Sequence, residues 1–180
     1  MNAKIDISNV TIRTERLTLR PWTSKDLDDL YEYASADGVG QSAGWLPHKS
    51  KDESRDILQR FINEKKTFAI QFDGKAIGSI GIELYDEKKL PEFDEKQGRE
   101  IGYVLSKDYW GMGIMPEAVK AVIQYLFEVL NLDFIVCGHF ADNIRSMRVQ
   151  EKCGFKHYIQ TKITTQYGEI KDGWISVLER

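Results

Sequence analysis

The sequence feature that most restricts the fold is a glycine-containing junction at residues 109–118, which reads Tyr-Trp-Gly-Met-Gly-Ile-Met-Pro-Glu-Ala. It lies between an apolar, strand-like run at 101–105 and an amphipathic pattern that predicts a helix over 116–130, with proline at its first position. Gly111 and Gly113 have no Cβ, so the backbone can adopt positive φ and approach a ligand closely. Because helix N-termini bind anions, the junction indicates either a pyrophosphate cradle or a tight strand-to-helix turn.

Length and composition limit the classes of protein to which the chain can belong. Its 180 residues, 42% hydrophobic and 29% charged, predict one globular domain spanning 1–180. The net charge of −3 and the lack of a basic stripe argue against a nucleic-acid partner. No apolar run could span a membrane, and residues 1–6 lack the core of a signal peptide, so we expect a cytoplasmic protein. Cys137 and Cys153 are too few for a disulfide framework or a metal cluster, and we expect no metal.

The order of the remaining patterns predicts a mixed α/β domain. Apolar alternation and short apolar runs predict strands at 17–22, 67–72, 76–85, 97 or 99 to 105, 134–137, 156–166 and 170–178. Helical spacing and capping residues predict helices that begin at 23 or 24, at 50 or 52, at 116 and at 144. Two stretches have no regular pattern: a glycine-containing loop at 37–49, and a charged connection at 86–98 that we expect to be solvated and mobile.

A second strand-to-helix junction follows the predicted strand at 134–137. Asn143 is suited to cap the helix over 144–152, and Ser146 lies in its first turn. Taken singly, both residues have structural explanations. However, the two junctions belong to consecutive strand–helix units, so the C-terminal ends of both strands meet at one edge of the sheet, where open α/β sheets bind ligands.

Four segments in a fixed order complete the pattern. They read Thr-Glu-Arg-Leu-Thr-Leu-Arg-Pro at 14–21, Glu-Ile-Gly-Tyr-Val-Leu at 100–105, Trp-Gly-Met-Gly through Glu-Ala at 110–118, and Asn-Ile-Arg-Ser through Glu-Lys-Cys-Gly-Phe at 143–155. With these segments the chain resembles the GNAT superfamily of acetyl-CoA-dependent N-acetyltransferases, and looks closest to the branch that includes the ribosomal-protein alanine N-acetyltransferases. The resemblance implies a mixed, mostly antiparallel sheet splayed between its fourth and fifth strands, flanked by about four helices, with acetyl-CoA in the gap.

The resemblance also implies an acetyl-CoA site. Val104 and Leu105 offer backbone groups to the pantetheine arm and the acetyl carbonyl, Asn143 contacts the pantetheine, and Ser146 lies close to the thioester sulfur. The loop around the pyrophosphate, which is bound by the amides of the last four residues, comprises Trp110, Gly111, Met112, Gly113, Ile114 and Met115. Met115 departs from the Gly or Ala of the general superfamily, and Trp110 from Arg or Gln, although Trp110 is usual for this branch. We therefore expect altered packing around the phosphates.

The implied reaction is direct attack of a primary amine on the thioester. The amine must be neutral to attack, so a base must take its proton. Glu100 is the candidate base, through a water; it is equally explained as a surface strand residue paired with Arg99 or a lysine. Ser146 is the candidate that polarises or protonates the sulfur. Weaker candidates for contact with the acceptor are Trp45, His48 and Tyr103.

Several functions are compatible with these residues. An enzyme could acetylate a protein N-terminus or a small amine, and a protein of the same fold could bind acetyl-CoA as a sensor or interaction module without turnover. A further alternative, ATP held by the glycines, lacks the Lys followed by Ser or Thr that such a loop requires. Glu100 favours the enzyme. The resemblance makes a homodimer plausible, and no sequence pattern identifies the acceptor amine.

Overall fold

An eight-stranded sheet runs through the molecule. The structure, a computed structural model, describes residues 1–180. The strands are β1 (Ile12–Arg13), β2 (Leu17–Pro21), β3 (Thr67–Phe72), β4 (Lys75–Glu83), β5 (Gly98–Leu105), β6 (Phe134–Phe140), β7 (Lys156–Thr164) and β8 (Ile170–Glu179). The helices are α1 (Leu27–Ala34), α2 (Val39–Ser42), α3 (Lys51–Glu64), α4 (Ile114–Gln124) and α5 (Ile144–Lys152). The strands lie in the order β1-β2-β3-β4-β5-β6-β8-β7, which confirms the expected mixed, mostly antiparallel architecture.

Two elements are absent from the sequence prediction. The two-residue strand β1 is too short to give an alternating pattern, and α2 is one turn within the loop at 37–49. The structure therefore has five α-helices where about four are expected. None of them is both long and apolar enough to cross a membrane.

Helix α4 begins two residues earlier than predicted. Its first residue is Ile114, so the expectation that Pro116 occupies the first helical position is wrong. Gly113, at φ 73°, ends the loop in the left-handed conformation immediately before the helix. As the third helical residue, Pro116 costs no helical hydrogen bond, because the first N–H groups of a helix have no intrahelical partner. At its C-terminal end the helix continues as a π-helical turn, Tyr125–Val129.

The charged connection at 86–98 is not simply solvated, as its composition predicts. It contains two short turns of 3-10 helix, and Leu90 and Phe93 within it are only 1% and 4% exposed. The Phe93 ring centroid lies 4.4 Å from that of Phe134 on β6. Two apolar side chains three residues apart thus anchor a segment whose charged residues mostly face solvent.

The sheet opens between β5 and β6, its only parallel neighbours. Gly98–Glu100 pairs with Phe134–Val136, and beyond these residues the two strands separate. β5 continues to Leu105 paired only with β4, while β6 continues to Phe140 paired only with β8. Counted without the short β1, these are the fourth and fifth strands, so the predicted splay is confirmed.

Helices cover both faces of the sheet and form the walls of its cavities. On one face α4 buries Ala118, Val119 and Val122 completely, in a cluster with the β-strands. On the other face Leu30 of α1 and Leu58 of α3 pack over β3 and β4. The opening between β5 and β6 is consequently accessible beside α4 and α5, with a separate layer of α1 and α3 on the opposite side.

Candidate active site

The opening between β5 and β6 forms a cavity of about 380 Å³, named here the β5–β6 cleft. Its walls come from the end of β5, the glycine junction and the outward face of α5. This volume is within the range of small-molecule sites. The cleft brings together nine of the residues that the resemblance assigns to the cofactor: Val104, Leu105, Trp110, Gly111, Gly113, Ile114, Met115, Asn143 and Ser146.

The glycine junction presents unpaired backbone amides. Those of residues 112–115 have no hydrogen-bond partner within the chain. Met112 itself does not line the cleft; its side chain is exposed, and its carbonyl accepts a hydrogen bond from Arg16 Nη1 at 2.9 Å. Arg16 also forms an ion pair with Glu117 (Nε–Oε2, 2.7 Å), so the loop is fastened to the chain on the side away from its free amides. Free amides at a helix N-terminus suit an anion.

Helix α5 adds three cations that the sequence prediction does not include. Arg145, Arg148 and Lys152 line the cleft, and none of them belongs to an ion pair. The Arg145 guanidinium lies 3.9 Å from the centroid of the Trp110 ring, a cation–π contact. The Trp110 indole donates to the Leu105 carbonyl at 2.9 Å. The sequence could have predicted this cluster, because the spacings of three and four residues between the cations place their side chains on one face of a helix.

Asn143, Ser146 and Tyr103 form a connected group in the cleft. Asn143 caps α5, as predicted: its Oδ1 accepts from the Ser146 amide at 3.1 Å. Its Nδ2 donates to the Ser42 carbonyl at 3.0 Å. The Ser146 Oγ lies 2.9 Å from the Tyr103 hydroxyl oxygen, so Tyr103, expected at the acceptor, lines the cleft together with the residues that the resemblance assigns to the cofactor. Burial raises the pKa of the Tyr103 phenol, which therefore carries its proton at neutral pH.

A second cavity of about 380 Å³ lies on the opposite face and is named the α1–α3 cavity. Trp45 and His48 line it together with side chains of α1, α3 and β4 and the tip of the β7–β8 turn. His48 is only 9% exposed, and its Nδ1 lies 2.7 Å from the Ser54 Oγ. Burial lowers the pKa of His48, so its imidazole is neutral at neutral pH. Val104 is the one residue that lines both this cavity and the β5–β6 cleft.

Glu100 lies apart from these two cavities, in a third of about 260 Å³ beside the 86–98 connection. Its carboxylate forms no ion pair, whereas Arg99 donates to the Ala3 carbonyl at 2.6 Å. Burial and, to a smaller extent, the negative charge of Glu83 raise the pKa of Glu100 to about 7. Between Glu100 and Val104, Gly102 is exposed, with no atom within 4 Å of the place a Cβ would take. The strand is therefore open to solvent at Gly102.

The two cysteines are poorly suited to act as nucleophiles. Cys137 is fully buried, and Cys153 is partly buried near the end of α5. Burial raises the pKa of Cys153 to about 11 and that of Cys137 further. Because the thiolate is the reactive form of cysteine, neither side chain is prepared for an acyl-enzyme intermediate at neutral pH.

Comparisons with known proteins identify the family. The family model described as the acetyltransferase (GNAT) domain matches residues 16–156. A Bacillus licheniformis protein named uncharacterized N-acetyltransferase p20 is 30% identical over 155 residues, covering 81% of this chain and 82% of its own. The crystal structure of an acetyltransferase (GNAT family) from Bacillus anthracis is 25% identical, with a TM-score of 0.82, and covers 94% of this chain and 98% of its own.

Two other solved structures share the fold at lower identity. The ribosomal-protein-S5-alanine acetyltransferase from Vibrio fischeri is 22% identical, with a TM-score of 0.73, over 95% of this chain and 97% of its own. The microcin C7 self immunity acetyltransferase MccE, in complex with acetyl-CoA and AMP, is 20% identical, with a TM-score of 0.78, over 93% of this chain and 94% of its own. The resemblance found in the sequence is thereby confirmed, and its relatives include ribosomal-protein acetyltransferases. The chain belongs to the GNAT family of N-acetyltransferases, enzymes of acetyl-CoA-dependent acetyl transfer.

Proposed function

We propose that the chain transfers the acetyl group of acetyl-CoA to a primary amine, a protein N-terminus or a small molecule, by direct attack on the thioester. The observation that carries this proposal is that Val104 lines both the β5–β6 cleft and the α1–α3 cavity. A thioester bound in the first and an amine bound in the second meet at this residue. Two cavities that join at one strand suit two substrates bound at the same time.

Acetyl-CoA occupies the β5–β6 cleft in this proposal. Its pyrophosphate lies on the free amides of residues 112–115, and the unpaired cations of α5 offset its negative charge. The Leu105 carbonyl is already occupied by the Trp110 indole. The Leu105 amide is the group left for the pantetheine arm, because Val104 is the strand partner of Ser79 and its backbone groups face β4.

Removing two of the cations on α5 is expected to weaken acetyl-CoA binding. In the double variant R148A/K152A we expect the Kd to rise about tenfold, because exposed charge pairs contribute up to about 1 kcal/mol each. The loss should shrink as salt screens these charges. Calorimetric titration at low and high ionic strength measures both effects. The control is Lys120→Ala, which removes an exposed cation of α4 outside the cleft; an equal loss in this control would contradict the assignment.

The chemistry follows from the groups around Val104. Glu100 takes the amine proton through water that occupies the exposed strip over Gly102, and a carboxyl with a pKa of about 7 is suited to act as a base near neutral pH. The neutral amine forms the new C–N bond, and backbone N–H groups of the splayed strand stabilise the oxyanion. The C–S bond then breaks, and the sulfur receives a proton from the hydroxyl pair of Tyr103 and Ser146.

Replacing Tyr103 with Phe tests the source of that proton. Tyr103 keeps its proton at neutral pH and lies 2.9 Å from the Ser146 hydroxyl, so we assign the proton to Tyr103 and the positioning of its hydroxyl to Ser146. We expect kcat to fall about tenfold in Y103F, less than the roughly 100-fold or more of a well-matched general acid because burial raises the pKa of this phenol, with a smaller loss in S146A. Steady-state thiol release measures both variants. A larger loss in S146A than in Y103F would assign the proton to the serine instead.

A thiol-release assay on a panel of amines tests the proposed function as a whole. The panel contains a peptide that begins with alanine, spermidine and an aminoglycoside, because a primary amine is the shared requirement and the acceptor is open. The proposal predicts that acetyl-CoA stabilises the protein and that at least one amine increases thiol release. Failure to bind acetyl-CoA would overturn it. Binding without release on any amine would favour the alternative of a sensor or interaction module.

A further inference from the structure

The segment 39–49, named here the 39–49 loop, belongs to both cavities. Ser42, near its beginning, lines the β5–β6 cleft, whereas Trp45 and His48 line the α1–α3 cavity. A displacement of Ser42 in the β5–β6 cleft can therefore reach Trp45 in the α1–α3 cavity, because the two residues are only three positions apart in the chain.

The Asn143 side chain fastens this loop to the cleft. Both of its polar atoms are used within the protein: Oδ1 accepts from the Ser146 amide at 3.1 Å, and Nδ2 donates to the Ser42 carbonyl at 3.0 Å. One amide group thus joins the first turn of α5 to the 39–49 loop. A second attachment, from the Gln166 amide to the Gly44 carbonyl at 2.7 Å, holds the far side of the loop on the β7–β8 turn.

Backbone hydrogen bonds hold the stretch from Gly40 to Trp45 together as one turn. The Trp45 amide donates to the Gly40 carbonyl at 3.0 Å, and so does that of Ala43 at 2.9 Å. A Cβ added to Gly40 would lie 2.3 Å from the Trp45 ring, which shows that the ring rests directly on the backbone of this turn. A displacement of the Ser42 peptide therefore moves the aromatic wall of the α1–α3 cavity.

We infer that Asn143 is a positioning residue through which occupation of the β5–β6 cleft orders the wall of the acceptor cavity. The inference rests on the proposed function, because it requires acetyl-CoA in the cleft. Asn143 and Ser42 are both half-buried residues of the cleft lining, so a ligand there excludes the water that competes for their hydrogen bond. Hydrogen bonds strengthen when water is excluded. By linkage, the factor by which acetyl-CoA favours the ordered loop is also the factor by which the ordered loop raises the affinity for acetyl-CoA.

Hydrogen exchange of the 39–49 loop tests this inference with acetyl-CoA as the probe. In the wild-type chain, saturating acetyl-CoA should slow exchange of the amides of Ala43, Gly44 and Trp45 about fivefold, the lower end of ordinary coupling between sites. In N143S the response to acetyl-CoA should disappear. Serine is a good helix cap but too short to reach the Ser42 carbonyl, so α5 keeps its first turn. N143D, which keeps the capping oxygen and lacks the N–H donor, should behave in the same way.

The matched control is Ser42→Ala. It removes the hydroxyl that bonds to the Val39 carbonyl but leaves the backbone carbonyl that Asn143 contacts, so the response to acetyl-CoA should persist. Wild-type protection that survives in N143S and N143D would overturn the inference. So would acetyl-CoA binding to the wild-type chain without any slowing in the loop. Absence of acetyl-CoA binding, seen by calorimetry on the same samples, would instead overturn the proposed function.

Discussion

Replacing Glu100 with Gln is expected to lower kcat about 100-fold at pH 8, the scale of a lost general base. The pKa of Glu100 is about 7, so at pH 8 most molecules carry the carboxylate that accepts the amine proton, and the amide of glutamine cannot accept it. The Kd for acetyl-CoA should stay nearly constant, because Glu100 does not line the β5–β6 cleft. Steady-state thiol release and calorimetric titration measure the two quantities separately.

E100Q is expected to be more stable than the wild-type chain at pH 8, although it is less active. The pKa of Glu100 rises from an ordinary value of 4.5 to about 7 on folding, so the folded state holds a proton that the unfolded state has released in this interval. Stability therefore decreases as the pH rises from 4.5 to about 7. E100Q should remove this decrease and be more stable than wild type at pH 8, on the order of 3 kcal/mol at about 1.36 kcal/mol per unit. Denaturant unfolding at pH 5 and pH 8 measures the difference.

Glu83 provides the matched control for the turnover prediction. It is the cross-strand neighbour of Glu100, lines the α1–α3 cavity and pairs with Lys66. If Glu100 is the base, E83Q should keep most of the turnover. A large loss of kcat in E83Q with normal kcat in E100Q would contradict the assignment and move the base to β4. Unchanged turnover in E100Q from pH 6 to 9 would also contradict it.

Replacing Gly113 with Val is expected to raise the Kd for acetyl-CoA at least tenfold. Gly113 has φ 73°, and a residue with a Cβ pays about 1–2 kcal/mol in that conformation. A branched side chain would also force the free amides of residues 112–115 away from the geometry that suits an anion. The expected result is weaker binding with a smaller change in kcat at saturating acetyl-CoA. Calorimetry and the dependence of rate on acetyl-CoA concentration measure it.

Gly74→Val separates backbone strain from loss of the cradle. Gly74 has φ 79° in the β3–β4 turn, with no atom within 4 Å of an added Cβ. It lies outside all three cavities, so the two variants share the strain but only one lies at the cleft. G74V should lose stability and keep its affinity for acetyl-CoA. Equal losses of affinity in both variants would show that general destabilisation, and not the junction, explains the result.

Local patterns in the sequence predict most of the fold. The helix over 144–152 has a capping asparagine before it and a glycine after it, and its bounds are those predicted. The splay is also predicted, but from the resemblance and not from any pattern of apolar residues. The helix start at Ile114 is missed because the proline rule allows a proline anywhere in the first turn, whereas the prediction uses only its first position.

The site is less predictable than the fold, because side-chain contacts join residues far apart in the sequence. Val104 was expected at the cofactor, but nothing local shows that it also lines a second cavity. Tyr103 was expected at the acceptor and lies 2.9 Å from Ser146 instead, since strand pairing and helix packing together decide which side it faces. The link from Asn143 to Ser42 spans 101 residues and depends on a main-chain carbonyl, for which no residue type gives a signal.

Initial-velocity kinetics test the central claim most directly. The claim is that acetyl-CoA and the amine bind together, in cavities that meet at Val104, and react without a covalent enzyme intermediate. Rates measured with an amine found active in the panel, at several fixed concentrations of acetyl-CoA, should give intersecting double-reciprocal lines. Parallel lines, the ping-pong pattern, would contradict the claim, because they require the acetyl group to reside on the protein after coenzyme A has left.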